Sequence, residues 1–246
     1  MSIAILTDIH ANREALEACL AHAEAAGLRD FAVLGDLVGY GADPAWCVER
    51  VETLQQEGAI VLLGNHDEAV YGTGEDMNAL ARAAIAWTRD RLTSGHVDYL
   101  RSLPLQAARG EALFVHANAY APAAWDYVTG PLDAARSLSR TDKRLTFVGH
   151  LHVPALYHAG ASGAAAHFAP EPGVDIPLLR QRRWLAVVGA VGQPRDGVPA
   201  ANYAVFDPAQ SSLRFVRVAY DVETAARKVR EAGLPEALAS RLERGR

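Results

Sequence analysis

The chain has 246 residues, 50% of them hydrophobic and 22% charged, with a formal net charge of −5. Such a length buries a full core in one large α/β domain, and the composition is that of a globular protein rather than a disordered one. An acidic balance without a basic stripe argues against non-specific binding to nucleic acid or an anionic membrane, and no apolar run reaches the ~20 residues of a membrane span.

The first element, Ile3–Leu6, is a short apolar run of buried-strand type that ends at Thr7 and Asp8. No basic region precedes it and Asp8 interrupts it early, so it does not read as a secretory signal. Asn12 then caps a helix whose apolar positions (Ala15, Leu16, Cys19, Leu20, Ala23) follow helical spacing as far as Gly27. A second strand, Phe31–Leu34, ends at Gly35 and Asp36. Asp43 and Pro44 open another helix, to about Gln56, with Pro44 suited to its first position. Ala59–Leu63 is a third strand, ending at Gly64 and Asn65. Strands alternating with helices imply parallel pairing with helices covering the sheet.

From Asn78 to about Leu103 the pattern is helical and alanine-rich, with a cap expected at Ser94 and a stop at Pro104. Strand signals return at Ala112–Val115, Leu145–Val148, Pro154–Tyr157, Trp184–Val188, Asn202–Phe206 and Leu213–Val218. The last two flank the hairpin loop Asp207–Ser212, which makes the later strands antiparallel in part. Residues 159–177, rich in Gly, Ala and Pro, read as a long loop or ragged hairpin. Asp221 begins a C-terminal amphipathic helix, broken at Gly233–Pro235 before a final short one. The expectation is one domain over residues 1–246, with two sheets between helices and an insert at about 76–103. Cys19 and Cys47 lie far apart on helical patterns and form no disulfide framework, which with the missing signal predicts a cytoplasmic protein.

Five polar clusters each follow directly on an apolar strand: Asp8-Ile-His10, Gly35-Asp36, Gly64-Asn-His-Asp67, His116 and Gly149-His-Leu-His152. Ligands of open α/β sheets gather at the carboxyl ends of strands, so five such clusters can converge on one crevice. The donors are mixed: carboxylates of Asp8 and Asp36, imidazoles of His10, His116, His150 and His152, and the carboxamide of Asn65. Four imidazoles and no thiolate favour a divalent transition metal over Mg²⁺, Ca²⁺ or a structural zinc site. Mn²⁺ is the leading expectation, with Fe, Zn²⁺, Co²⁺ and Ni²⁺ also suited. Seven ligands exceed what one ion with a free position needs, but suit two ions sharing a carboxylate. A metal-bridging hydroxide held by such a pair can attack phosphorus in line.

This ordered set of motifs resembles the calcineurin-like metallophosphoesterases. The resemblance extends through Gly192–Gly197, as in stand-alone bacterial members, and covers most of residues 1–218. It implies a four-layer α-β-β-α sandwich of two mixed sheets with a dinuclear centre. By motif, Asp8, His10 and His152 would bind the first metal, Asp36 would bridge, and Asn65, His116 and His150 would complete the second. His66 would be the catalytic histidine near the leaving-group oxygen, oriented by Asp67; a carboxylate-held imidazole is a sensible proton donor there.

The sequence also departs from its relatives. Protein phosphatases and symmetrical dinucleoside tetraphosphatases carry an arginine where this chain has Tyr40, and protein phosphatases read GNHE where it has Asp67. A monoester dianion wants a guanidinium fork, so its loss tilts the expectation toward phosphodiesters or activated esters unless Arg195 takes that part. Gln193 and Arg195, with Tyr40, are the expected substrate contacts. The alternatives are a protein or dinucleoside-polyphosphate phosphatase, and a non-catalytic scaffold that keeps the fold. Tyr120, Trp125 and Tyr127 read as core aromatics before stacking platforms. His22, His96, His158 and His167 read as surface residues. Oligomeric state has no signature in the sequence.

Overall fold

The computed structural model describes residues 1–75 and 77–246. Asp76, with which the expected insert begins, lies outside the described residues. The chain opens with β1 (Ile3–Leu6), α1 (Arg13–Ala25), β2 (Asp30–Val33), α2 (Pro44–Gln56), β3 (Ile60–Val61) and α3 (Asn65–Tyr71). It continues through α4 (Ala79–Arg89), α5 (Ser94–Ser102), β4 (Gln106–Arg109), β5 (Ala112–Val115), α6 (Pro131–Leu138) and β6 (Leu145–Val148). The remainder is β7 (Ala155–Ala159), β8 (Ala165–Phe168), β9 (Asp175–Pro177), β10 (Arg183–Val187), β11 (Ala201–Asp207), β12 (Ser212–Val218), α7 (Val222–Glu231) and α8 (Glu236–Arg244).

The strands form two sheets of six, ordered β3-β2-β1-β11-β12-β9 and β4-β5-β6-β10-β7-β8. In the first, β1, β2 and β3 run parallel, and β11 joins β1 antiparallel with Ile5 opposite Ala204. In the second, β5, β6 and β10 are parallel, β4 and β7 flank them antiparallel, and β8 pairs antiparallel with β7. Both sheets are therefore mixed, as expected, and their parallel centres align the strand ends that carry the polar clusters.

Period-two alternation explains why the central strands are apolar on both faces. In β1, Ile3 and Ile5 enter the layer between the sheets, whereas Ala4 and Leu6 meet the helices. In β10, Trp184 and Ala186 face the inner layer, and Leu185 and Val187 pack outward with α6. The inner layer centres on Phe147, whose ring lies 5.4 Å from Phe114 and 5.3 Å from Phe206 between centroids. α1 and α2 cover the first sheet through Leu16, Cys19, Val48 and Val51, and α6 covers the second through Ala134 and Leu138. The result is a four-layer α-β-β-α sandwich. Trimming its inner layer by one methylene, in Ile5→Val, is expected to lower unfolding free energy by about 1 kcal/mol, read from urea midpoints.

Several elements differ from the sequence expectation. The insert is the two helices α4 and α5, and α5 is capped by Thr93, whose hydroxyl accepts from the His96 amide, rather than by Ser94. The span 159–177, expected as a loop or ragged hairpin, contributes β8 and β9, which lie at the far edges of the two sheets. α3, β4 and α6 were not anticipated. The C-terminal helices α7 and α8 pack on α4 and on Tyr40, tying the insert to the rim of the site. Among the described residues, no helix is long and apolar enough to cross a membrane.

Candidate metal centre

The polar clusters meet at one end of the parallel strands because the loops bearing them are laced together by main-chain hydrogen bonds. The amide of His10 donates to the Asp36 carbonyl at 2.9 Å, that of Gly149 to His116 at 2.8 Å, and that of Gly192 to Asp8 at 2.8 Å. Five of the seven expected ligands adopt left-handed backbone: Asp8 (φ 53°), His10 (49°), Asp36 (55°), His150 (65°) and His152 (64°). Each such non-glycine residue costs roughly 1–3 kcal/mol and persists only where its surroundings over-determine it, which is characteristic of sites built for a ligand.

The structure brings the donor atoms together in two overlapping groups. His10 Nε2 faces His152 Nε2 at 3.1 Å, with Asp8 Oδ1 3.2 Å from the latter and 3.8 Å from the former. His116 Nε2 faces His150 Nδ1 at 3.2 Å and Asn65 Oδ1 at 3.3 Å. Between them sits Asp36 Oδ2, 3.6 Å from His10 Nε2 and 3.5 Å from His116 Nε2. With metal–nitrogen bonds of about 2.1 Å, adjacent ligands of one ion stand roughly 3.0–3.4 Å apart, which the four separations of 3.1–3.3 Å match and the three of 3.5–3.8 Å slightly exceed.

Tautomers sharpen the fit. His10 Nδ1 donates to the Val38 carbonyl at 3.1 Å and His152 Nδ1 to the Gln193 carbonyl at 2.7 Å. Each carbonyl can only accept, so whenever both rings are neutral their bare Nε2 lone pairs face one another. Two opposed lone pairs at hydrogen-bond distance are repulsive without a cation between them. Buried Asp8 Oδ1 likewise has no hydrogen-bond partner, although Asp8 Oδ2 accepts from Thr7 Oγ1 at 2.8 Å and from the His150 amide at 2.9 Å. An orphaned buried carboxylate oxygen among bare imidazole nitrogens is a donor set suited to divalent metal.

Electrostatics agree. Burial would raise Asp36, yet the His116 and His66 imidazoles hold it well below the usual carboxylate range. Burial also opposes ionisation of Asp8, but nearby His152 outweighs it and lowers that carboxyl. Burial and the neighbouring His66 keep His10 well below an ordinary histidine, and burial with His116 pushes His150 down to about 3. Against its own burial, His116 is lifted to about 9 by Asp36. Two buried carboxylates stay charged, and a proton on His116 offsets them where a metal cation otherwise would.

His66 lies beside this cluster, its ring 4.7 Å from His10 and 4.5 Å from Tyr40 between centroids. It is buried, its Nδ1 has no partner, and burial pulls it down to about 4 despite Asp36. The expected orientation of His66 by Asp67 does not occur. Asp67 Oδ1 accepts from the amides of Leu37 (2.8 Å) and Val38 (3.2 Å), and its Oδ2 from Gly64 (3.0 Å). Successive residues in a helix point about 100° apart, so a carboxylate after His66 turns back to the helix start instead of reaching the ring. Burial and neighbouring Asp36 push Asp67 up to about 8, against the three amides that favour its charged form. Its work is to clamp the Asp36 loop onto α3.

Tyr40 is almost fully buried at φ 65°, in contact with the rings of both His10 and His66. The guanidinium carbon of Arg195 lies 5.8 Å from the centre of its ring, and one Arg195 nitrogen donates to Gln193 Oε1 at 3.1 Å. Gln193 Nε2 and Arg195 Nε are buried without partners. Asn12 is the α1 cap and also donates to the Gly192 carbonyl at 2.8 Å, fixing the loop that carries Gln193. Tyr127 and Trp125, expected as core aromatics, flank the imidazoles of the site, although Trp125 also packs against the core. Tyr127 stacks on His150 with centroids 4.1 Å apart at 14°, and Trp125 meets His116 edge-on. Their one sequence signal was proximity to His116. Of the histidines expected on the surface, His22 is exposed but bonds the Tyr203 hydroxyl at 2.8 Å, and His158 accepts from Arg182.

Comparison with known proteins agrees with this geometry. The profile of the calcineurin-like phosphoesterase superfamily domain matches residues 1–211. A crystal structure of a metallophosphoesterase from Sphaerobacter thermophilus is 40% identical, with a TM-score of 0.87 and coverage of 100% of both chains. An uncharacterized protein of Methanocaldococcus jannaschii is 36% identical over 250 residues, which is 99% of this chain and 98% of its own. The hypothetical protein PH1004 from Pyrococcus horikoshii shares the fold, with a TM-score of 0.82 at 18% identity over 100% of this chain and 98% of its own. The chain belongs to the calcineurin-like phosphoesterase superfamily and is a hydrolase acting on phosphoester bonds.

Proposed function

We propose that residues 1–246 form one dinuclear, metal-dependent phosphodiesterase of broad specificity for small phosphoesters. The observation that carries the two-ion reading is the place of Asp36 Oδ2, about equidistant from the ligand nitrogens of both groups. Asp8, His10 and His152 would hold one ion, Asn65, His116 and His150 the other, and Asp36 both. Imidazoles, carboxylates and a carboxamide without thiolate suit Mn²⁺ first, then Fe, Zn²⁺, Co²⁺ or Ni²⁺. Bound there, two ions supply Lewis acidity at phosphorus and an activated water.

The chain's own residues do the rest. His66, kept neutral by burial, offers a ring N–H to the departing ester oxygen, where negative charge develops. Gln193 and Arg195, whose Nε2 and Nε are buried without partners, would turn these donors to phosphoryl oxygens on binding, with Tyr40 as the surface against which Arg195 rests. One guanidinium matches the single charge of a diester. The same placement of Arg195 favours a second reading, a monoesterase in which it replaces the arginine absent at Tyr40. Manganese-loaded protein assayed on bis-p-nitrophenyl phosphate, p-nitrophenyl phosphate and a dinucleoside tetraphosphate separates these, and a marked preference for the monoester overturns the diester reading. His66→Ala is expected to reduce diester turnover roughly 10²-fold while leaving metal content, measured by elemental analysis, unchanged.

A further inference from the structure

From His66 and His150 a cleft of about 640 Å³ runs outward between α3, the start of α4 and the segment containing Trp125 and Tyr127. Its charge is unusual for a protein that handles phosphate. The described residues lining it include Glu68 and Glu75 but no lysine or arginine. Of the guanidiniums beside it, Arg89 donates to the carbonyls of Ala69, Val70 and Gly72, and Arg82 to those of Glu75 and Met77. Arg101 lies over the Tyr71 ring and pairs with Asp98, and Arg195 rests on Tyr40 at the inner end, beside the proposed phosphoryl site. A leaving group carrying further phosphates would lie beside Glu68 and Glu75 with no cation among the described lining residues, which disfavours its binding.

The aromatic lining is placed rather than incidental. Glu68 Oε2 accepts from Trp125 Nε1 at 2.9 Å, fixing the indole, and Trp125 itself holds left-handed backbone at φ 57°. Tyr127 lies flat on the ligand His150 yet stays 46% exposed. A fixed, half-exposed ring beside the reacting centre is a stacking platform. Tyr71, Thr73 and Asn78 add neutral hydrogen-bonding groups farther out.

We infer that this cleft is the leaving-group subsite and that it takes an uncharged planar ring, such as an aryl or nucleobase-bearing alcohol, in preference to a polyphosphate. The inference rests on the proposed placing of His66 at the leaving oxygen. It also gives the cleft a use whether the ester is a diester or a monoester.

Binding tests it independently of turnover. With the manganese-loaded full chain, calorimetric dissociation constants are compared for phenylphosphonate, methylphosphonate and 4-phosphonobenzoate, which share one metal-binding head and differ only in what enters the cleft. Phenylphosphonate is expected to bind about tenfold tighter than methylphosphonate, and the added carboxylate of 4-phosphonobenzoate to remove most of that gain. Tyr127→Ala should collapse the phenyl-to-methyl ratio toward one, and Tyr127→Phe should restore it. Because Tyr127 is half exposed, neither substitution threatens the fold. Equal affinity for the phenyl and methyl compounds, a ratio untouched by Tyr127→Ala, or tightest binding of the carboxylate overturns the inference. A monoester preference in the turnover assay overturns the diester reading alone.

Discussion

Asp36→Asn is expected to reduce turnover of a phosphodiester by roughly 10³-fold, about 4 kcal/mol of transition-state stabilisation. The change is nearly isosteric, and the asparagine oxygen can still accept the His66 amide that Asp36 Oδ1 accepts at 2.8 Å. What disappears is the charge on Oδ2, which lies within 3.6 Å of an imidazole nitrogen in each of the two groups. A neutral carboxamide is a poor bridge between two cations, so metal content should fall from two ions per chain to one or fewer. Thermal unfolding supplies a second reading. Metal that binds only the folded chain raises its midpoint by mass action, and this increment should shrink in the variant while circular dichroism of the metal-free form stays native. Two ions bound at wild-type affinity by Asp36→Asn would remove Asp36 from the bridging position.

Much of the centre was legible because each donor follows a strand whose apolar run is unmistakable, and parallel strands bring such ends together. β1, β5 and β6 have the predicted bounds for the same reason: buried on both faces, they read as unbroken hydrophobic segments. Elements at the margins carry no such pattern. β4, with Gln106 and Arg109 at its ends, is an edge strand lacking any β-branched residue, and β8 is mostly exposed. The eight residues of α6 are too few for helical periodicity to register, although Gly130 and Pro131 mark its start. Long-range meetings were legible least. That Arg195 comes to rest on Tyr40, 155 residues away along the chain, follows from how two loops pack, not from either motif. Asp67 shows the opposite failure: its nearness to His66 in sequence suggested a contact that helical geometry denies.

Gly64→Ala is expected to test how tightly the loops around Asp36 are built, with a loss of roughly 3 kcal/mol from forced overpacking. The residue needs no unusual dihedral, since its φ of −107° suits any amino acid. The obstacle is space: a methyl group at Gly64 would collide with the amide nitrogen and Oδ1 of Asp36 and lie 2.8 Å from its carboxyl carbon. Gly35, at φ 100°, faces the same crossing, where a Cβ would stand 2.8 Å from the Gly64 Cα. The loops after β2 and β3 thus touch backbone to backbone, and the amides gathered by Asp67 lock them there. Neither loop can yield without moving the Asp36 carboxylate, so stability and metal affinity should fall together. For a chain of this size the metal-free unfolding midpoint should drop roughly 6–12 °C. Gly160→Ala, which meets nothing within 4 Å, serves as the control and should leave the midpoint in place. If Gly64→Ala unfolds at the wild-type temperature and binds metal normally, the two loops yield more readily than these separations imply. Left-handed backbone at Asp8, His10, Asp36, His150 and His152 is tolerable only in loops held this closely, so the glycines of these motifs build the candidate metal centre as much as its proposed ligands do.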